Sequence, residues 1–266
     1  MQTPQKIGFV GLGKMGGAIY KGLCHSEGAA FFAVETSQRA RVDFERDHRE
    51  GILKWVDSVP ELSELCDCVL VCVKPFQAKE VFEQIRLKPE SLLISIVAGV
   101  SISQIRVWSG HEFILRAMPN LGALVKESMS VLCGAENLPK IFCDRGQQIF
   151  EKVGQVLWLS ENQMNLATAL SGSGPGFLYA WMNGFYRAAL QEGLSAEEAK
   201  LLISQTVFGA GLLGRQSTQS FEELQKAVTT PGGTTEAGLE AFIQSGGEQM
   251  ISRMLQAAQK RAADLA

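Results

Sequence analysis

The sequence predicts an α/β protein in two parts, a doubly wound parallel sheet followed by an all-helical C-terminal domain. Three observations carry this. Short apolar runs alternate with helical patterns up to about residue 160, and only helical periodicity follows. Between the first apolar run and the first helix lies a glycine-rich turn, residues 11–16. In chain order, KIGFV (6–10) is the first strand, and Met15, Ile19 and Leu23 then have helical spacing. FFAVE (31–35) is the second strand, and the charged stretch 37–50 is a helix. Ser58 to Glu61 is a capping box with proline in the first turn, opening a short helix. Residues 68–74 and 91–99 are nearly continuous apolar runs, as strands covered on both faces require. Residues 113–118, 130–134 and 155–159 continue the sheet.

Beyond residue 161, ENQMNLATAL and FLYAWMNGFYRAALQEG read as helices around a break at SGSGPG. Ser195 to Glu198 and Ser220 to Glu223 are further capping boxes, each opening an amphipathic run. No repeat or long linker separates the halves, so the expected domains are 1–160 and 161–266.

With 46% hydrophobic residues and 20% charged, the chain has the composition of a soluble globular protein with a sizeable core. A net charge of −3 and the absence of Lys/Arg runs argue against nucleic acid as partner. The longest apolar runs are too short to span a bilayer, and the first residues read as a strand rather than a signal peptide. A cytoplasmic location is the expectation. The 6 cysteines form no C-x-x-C pair and the 3 histidines are scattered without ligand spacing. Core thiols, with no metal, follow.

GLGKMG (Gly11, Leu12, Gly13, Lys14, Met15, Gly16) fits G-x-G-x-x-G in the context that gives the pattern meaning, after a strand and opening a helix. Gly11 suits a tight turn, Gly13 lets backbone approach a pyrophosphate, and Gly16 permits close helix–strand packing. The first part is therefore a Rossmann-like dinucleotide-binding domain. Glu35 lies about 20 residues past Gly16, where an acid would take a ribose hydroxyl and favour NAD. Ser37, Arg39 and Arg41 follow closely, and hydroxyls with guanidinium suit the 2′-phosphate of NADP. The same arginines also fit a solvated helix face. A second polar stretch, TTPGGTTEAG (229–238), interrupts two helical runs; proline and paired glycines exclude helix interior, which fits a plain turn or a site.

Together with GLGKMGGAI, three more stretches and this turn resemble the pyrroline-5-carboxylate reductase family, in order and over nearly the whole chain. The stretches are VKP (73–75), LRAMPN (115–120) and ALSGSGP (169–175), and PGGTT is the most specific element. The chain departs from the family pattern at Leu121 and Gly122, at Pro175 to Phe177, and at Asn183 and Arg187. The resemblance implies reduction of a cyclic imine to L-proline with NADP, weakly preferred, or NAD. With the glycine loop (Gly11 to Gly16) and the phosphate candidates Ser37 and Arg39, it places the cofactor on Val73, Lys74 (through backbone), Pro75, Met118 and Asn120. It places the substrate on Thr230, Gly232, Gly233, Thr234 and Thr235. Thr235 is the catalytic candidate, bonded near the ring nitrogen, and Thr230 helps hold the carboxylate. SGSGP would let a helix approach cofactor and substrate closely. The family further implies a homodimer interlocked through the C-terminal helices, assembled further into rings. Three other readings stay open: a reductase of a related six-membered cyclic imino acid, a non-catalytic nicotinamide-binding regulator, and a hydroxy-acid dehydrogenase, for which Lys200 and Lys226 lack the surrounding pattern.

Overall fold

The computed structural model describes residues 5–47 and 53–265. Among them an eight-stranded sheet has the order β3-β2-β1-β4-β5-β6-β7-β8. The strands are β1 (Gln5–Val10), β2 (Ala29–Val34), β3 (Leu53–Trp55), β4 (Cys68–Val71), β5 (Leu92–Ser95), β6 (Ile114–Met118), β7 (Ser128–Gly134) and β8 (Gly154–Trp158). The helices between them are α1 (Lys14–Leu23), α2 (Gln38–Asp47), α3 (Val59–Leu65), α4 (Ala78–Gln84), α5 (Ile102–Ser109) and α6 (Lys140–Glu151).

Residue alternation along each strand divides the core in two. Val69, Val71, Leu93 and Ile114 face α3, α4 and α5, meeting Leu62, Phe82 and Ile105. Cys68, Leu70, Leu92 and Leu115 face the other way, toward Ile19 of α1, Phe44 of α2 and Phe150 of α6. Period-two alternation between two apolar faces is what a sheet covered on both sides demands.

Two features differ from the sequence expectation. The sheet is not wholly parallel: β6 and β7 pair antiparallel, Leu115 with Gly134 and Met118 with Val131. Only residues 119–127 connect them, with a 3-10 turn and no crossover helix, too short a path to bring the chain back to the same edge. β7 and β8 then pair parallel across α6. The second difference is β3, a three-residue edge strand with no apolar run to announce it. Its register is fixed through Trp55, which packs edge-on against Phe44 at 5.8 Å and lies under the Arg41 guanidinium at 4.4 Å. The helix expected over 37–50 is observed to Asp47; its end, with His48, lies outside the described residues.

The capping boxes form as the sequence specifies at Ser195 and Ser220. Hydrogen bonds from these serines hold the Glu198 and Glu223 carboxyls below the usual glutamate range. At α3 the Ser58 hydroxyl takes the Glu61 amide, but the Glu61 carboxylate reaches one residue further back, to the Asp57 amide at 3.0 Å.

Chain contacts divide the molecule between Ser173 and Gly174, and the segment from Ala257 onward joins the first unit. The second unit holds α8 (Gly174–Gln191), α9 (Ala196–Gln216), α10 (Phe221–Ala227), α11 (Thr234–Gln244) and most of α12 (Gly247–Ala263); α7 (Met164–Ala167) precedes it. Ala199 is the one apolar side chain of the second unit in the buried core, while Phe208 and Phe221 are 61% and 80% exposed. No helix among the described residues is long and apolar enough to cross a membrane.

One buried charge ties the first unit together. Arg116 of β6, its side chain 6% exposed, bonds Glu161 at 2.8 Å, and the same carboxylate oxygen accepts the Ile102 amide that opens α5. Removing one member of a buried pair orphans the other charge. Glu161→Ala should cost about 3 kcal/mol in chemical denaturation, the low end for such pairs because Glu161 is 37% exposed. The double variant Arg116→Met/Glu161→Ala should recover part of that loss; a double variant less stable than Glu161→Ala alone would show that the pair itself is not the source.

Candidate functional site

Beyond Val10 the chain turns through Gly11 at φ +87°, a conformation open to glycine. A Cβ there would also stand 3.2 Å from the Cys72 carbonyl oxygen. At Gly16 a Cβ would run into the Gly11 carbonyl, so glycine sets how closely α1 packs on the end of β1. At Gly13 a Cβ would meet nothing within 4 Å, so this position faces open space. Gly13 is the N-cap of α1, with no side-chain cap and no acid in the first turn. The first intrahelical bond runs from the Gly17 amide to the Gly13 carbonyl at 2.8 Å. The amides of Lys14, Met15 and Gly16 therefore stand ahead of the ladder, an arrangement that fits a pyrophosphate.

The loop borders a cleft of about 420 Å³ at the carboxyl ends of β1, β2 and β4, where a doubly wound sheet binds dinucleotides. Of the sequence candidates, Gly11, Gly13, Ser37, Val73 and Lys74 line it, beside Glu35 and Thr36. Leu12 is buried, and with Lys14 it lines a second cavity between α1 and α2. Arg39 stands outside the cleft, 93% exposed, with Asp43 at 3.9 Å as an ion-pair partner. Arg41 is engaged with Trp55 and Glu45. Pro75 opens a 3-10 turn, Pro75–Gln77, and the Lys74 amide donates to the Gln77 side chain at 3.4 Å. Sequence reasoning missed Gln77, Val81 and Gln84, which line the cleft from the 3-10 turn and α4. Nothing in their spacing distinguishes a ligand-facing stripe from a solvated one.

Met118 and Asn120 stand apart from this cleft, at the end of β6. The Asn120 amide group donates to the Ser171 hydroxyl at 3.3 Å and accepts the Gly122 amide at 3.0 Å. Gly122 has no room for a side chain, because a Cβ would strike the Glu127 carbonyl. The Leu121–Gly122 departure thus belongs to a turn that requires its glycine. A Cβ at Gly172 would lie 3.5 Å from the Met118 sulfur, so LRAMPN and SGSG meet in the first unit. The expected break at SGSGPG is a π turn, Thr168–Gly172, closed by the Ser173 amide on the Thr168 carbonyl at 2.8 Å; α8 begins at Gly174. Such turns mark functional positions in many helices.

In the second unit, Thr230, Gly232, Gly233, Thr234 and Thr235 form one turn and the start of α11. Gly232 has φ +72°, and a Cβ at Gly233 would press on the Thr230 hydroxyl. Gly233 is the N-cap of α11 and no side-chain hydroxyl caps the helix. Glu236 reaches back to the Gly232 amide at 2.6 Å. Thr234 and Thr235 are exposed, and Thr235 is the second helical residue rather than a cap.

Cys66, Cys68 and Cys133 are buried, and burial pushes the Cys66 and Cys68 thiols up to about 12. They stay neutral and unreactive at ordinary pH. His111 is buried too, its Nε2 donating to the Ser91 carbonyl at 2.8 Å.

Two family models match separate parts of the chain. Residues 161–265 match the model of the pyrroline-5-carboxylate reductase dimerisation family, and residues 6–99 match that of the NADP oxidoreductase, coenzyme F420-dependent family. The chain is 34% identical to the pyrroline-5-carboxylate reductase of Pseudomonas aeruginosa, across 100% of this chain and 98% of that one. Its structure is similar to that of a pyrroline-5-carboxylate reductase from Coxiella burnetii, with TM-score 0.88, 31% identity and 99% coverage of both chains. The Plasmodium falciparum pyrroline carboxylate reductase, solved with NADP bound, gives TM-score 0.85 at 28% identity, covering 100% of this chain and 99% of that one. The chain belongs to the pyrroline-5-carboxylate reductase family.

Proposed function

We propose that the protein reduces 1-pyrroline-5-carboxylate to L-proline, the last step of proline biosynthesis, using a nicotinamide dinucleotide. The observation that carries this reading is the turn at 230–235, which leaves the first amides of α11 exposed and uncapped by any hydroxyl. Its likeness over full length to the reductases supports it. The dinucleotide, when bound, supplies a hydride to the imine carbon. The amides of α1 hold its pyrophosphate, and Gly13 leaves room for that approach. The amides of Thr234 and Thr235, with the Thr230 hydroxyl, hold the substrate carboxylate, whose charge the N-terminus of α11 favours. The Thr235 hydroxyl accepts the proton-bearing ring nitrogen. A protonated imine is already electrophilic, so positioning rather than strong acid catalysis lowers the barrier.

The turn's glycines argue for an enzyme over a regulator, which has no use for a substrate carboxylate loop. Folded protein should oxidise NADPH or NADH on addition of pyrroline-5-carboxylate; failure with both would overturn the reductase reading. Since Thr235 caps nothing, Thr235→Ala should lower kcat/KM about tenfold or more with little change in melting temperature, and Thr235→Ser should keep most of the activity. Normal kinetics with lowered stability would remove Thr235 from the site.

We further propose a preference for NADPH. Thr36 and Ser37 line the cleft at the start of α2, and Arg39 on the next turn has a weakly held guanidinium to offer a 2′-phosphate. Arg39→Ala should lower the NADPH-over-NADH ratio by up to about fivefold, as suits an exposed pair. An unchanged ratio would exclude Arg39 from recognition.

The helices of the second unit serve as a homodimer interface in this reading. Their apolar side chains are largely exposed, more than a stable single copy would leave in water. Light scattering should give at least twice the chain mass of 28.9 kDa, and a monomer at assay concentration would overturn the dimer.

A further inference from the structure

Glu35 stands where an acid in a dinucleotide-binding sheet takes the ribose hydroxyls and repels a 2′-phosphate. The structure gives it another occupation. Oε2 accepts the Leu12 amide at 3.0 Å and Oε1 accepts the Ser37 amide at 2.9 Å. Leu12 belongs to the glycine loop and Ser37 opens α2, its hydroxyl accepting the Ala40 amide at 3.2 Å. One half-buried carboxylate therefore joins the two turns between which the adenosine end of a dinucleotide would lie.

We infer that Glu35 is a positioning residue, a strut that holds the glycine loop against the β2–α2 turn, and that it does not choose between NADPH and NADH. The inference rests on the cleft being a nicotinamide cofactor site. Its physical basis is twofold. Both carboxylate oxygens bond backbone amides from different segments, so rotation toward a ribose would break charge-assisted bonds at both ends. The same two N–H dipoles point at the carboxylate and offset its charge, which weakens its repulsion of a phosphate in the cleft. Among the described residues no other side chain bonds the Leu12 amide, and the backbone bonds that flank it, from Gly11 to Val34 and from Cys72 to Val10, leave the tip of the loop to Glu35. A ribose ligand and a strut predict opposite results on removal of the carboxylate. Loss of a ribose ligand weakens NADH and strengthens NADPH, whereas loss of a strut weakens both.

The test is titration of NADPH and of NADH, each without substrate, into wild type, Glu35→Gln and Glu35→Ala, with amide hydrogen exchange read at Leu12 and Ser37. Both affinities should fall about tenfold in Glu35→Ala, with their ratio changed less than about threefold. Glu35→Gln, which keeps one accepting oxygen, should lie between. Exchange at both amides should speed up in the free protein. A ratio shifted tenfold toward NADPH would make Glu35 a ribose ligand and overturn the strut, as would unchanged affinities or unchanged exchange. If Glu35→Ala fails to fold, the Gln variant carries the same three readings. Wild type that binds neither cofactor would instead overturn the assignment of the cleft.

Discussion

The contact between α1 and the turn beyond β1 is the constraint on which the first unit depends. Gly16 touches the Gly11 carbonyl so closely that no side chain fits, and Gly11 occupies a left-handed conformation beside Cys72. A methyl group at Gly16 would push α1 away from the sheet. The amides at its start would then move off the end of β1, and the space in front of Gly13 would change shape. Ile19 and Tyr20 follow on the same helix and are fully buried against Phe9 and Phe31. Helix position and the placement of its first amides are thus one variable. A binding loop fixed this way gains its precision from core packing rather than from contacts with its ligand.

The far edge of the sheet solves a different problem. Reversal at β7 leaves β6 flanked by one parallel and one antiparallel neighbour, and Arg116 is buried between them. Glu161 answers that charge and also receives the first amide of α5. The chain then enters α7 and the π turn, which is moored to the same strand ends by Asn120, Ser171 and the Met129 carbonyl. The π turn brings Gly172 beside Met118, where a Cβ would lie 3.5 Å from the sulfur, in ordinary van der Waals contact. So the LRAMPN and SGSG stretches owe part of their character to one another. Asn120 and Ser171 serve this mooring before any ligand is considered.

The parts legible in sequence are those where chemistry acts through backbone. The glycine loop reads clearly because tight turn, open approach and close packing each exclude a side chain, and PGGTT reads for the same reason. Serine caps followed by glutamate were equally plain, since both partners lie within four residues. What stayed hidden depends on partners far along the chain. β3 is three residues long, and Trp55 fits there only because Arg41 and Phe44 wait on α2. The reversal of β7 left one trace, the short helix-free span 119–127, but strand direction has no residue signature of its own. Glu35 shows the limit best. Its position marked it as a ribose ligand, and only the coordinates of two amides 25 residues apart in sequence, Leu12 and Ser37, give it a different partner set.

The two units also differ in what holds them. The first has two apolar layers, with Phe9, Phe82 and Phe150 wholly enclosed. Between α8 and α12 the side chains make pairwise contacts, such as Trp181 against Phe242 at 5.7 Å, without forming an enclosed layer. Helix propensity and caps alone leave helices of this length marginal in water. Their apolar side chains are largely exposed in the single chain, which is the surface the proposed second copy would cover. The turn at 230–235 is carried by these helices. If, as proposed, this turn holds the substrate and a second copy covers the helices, its geometry inherits the stability of that assembly.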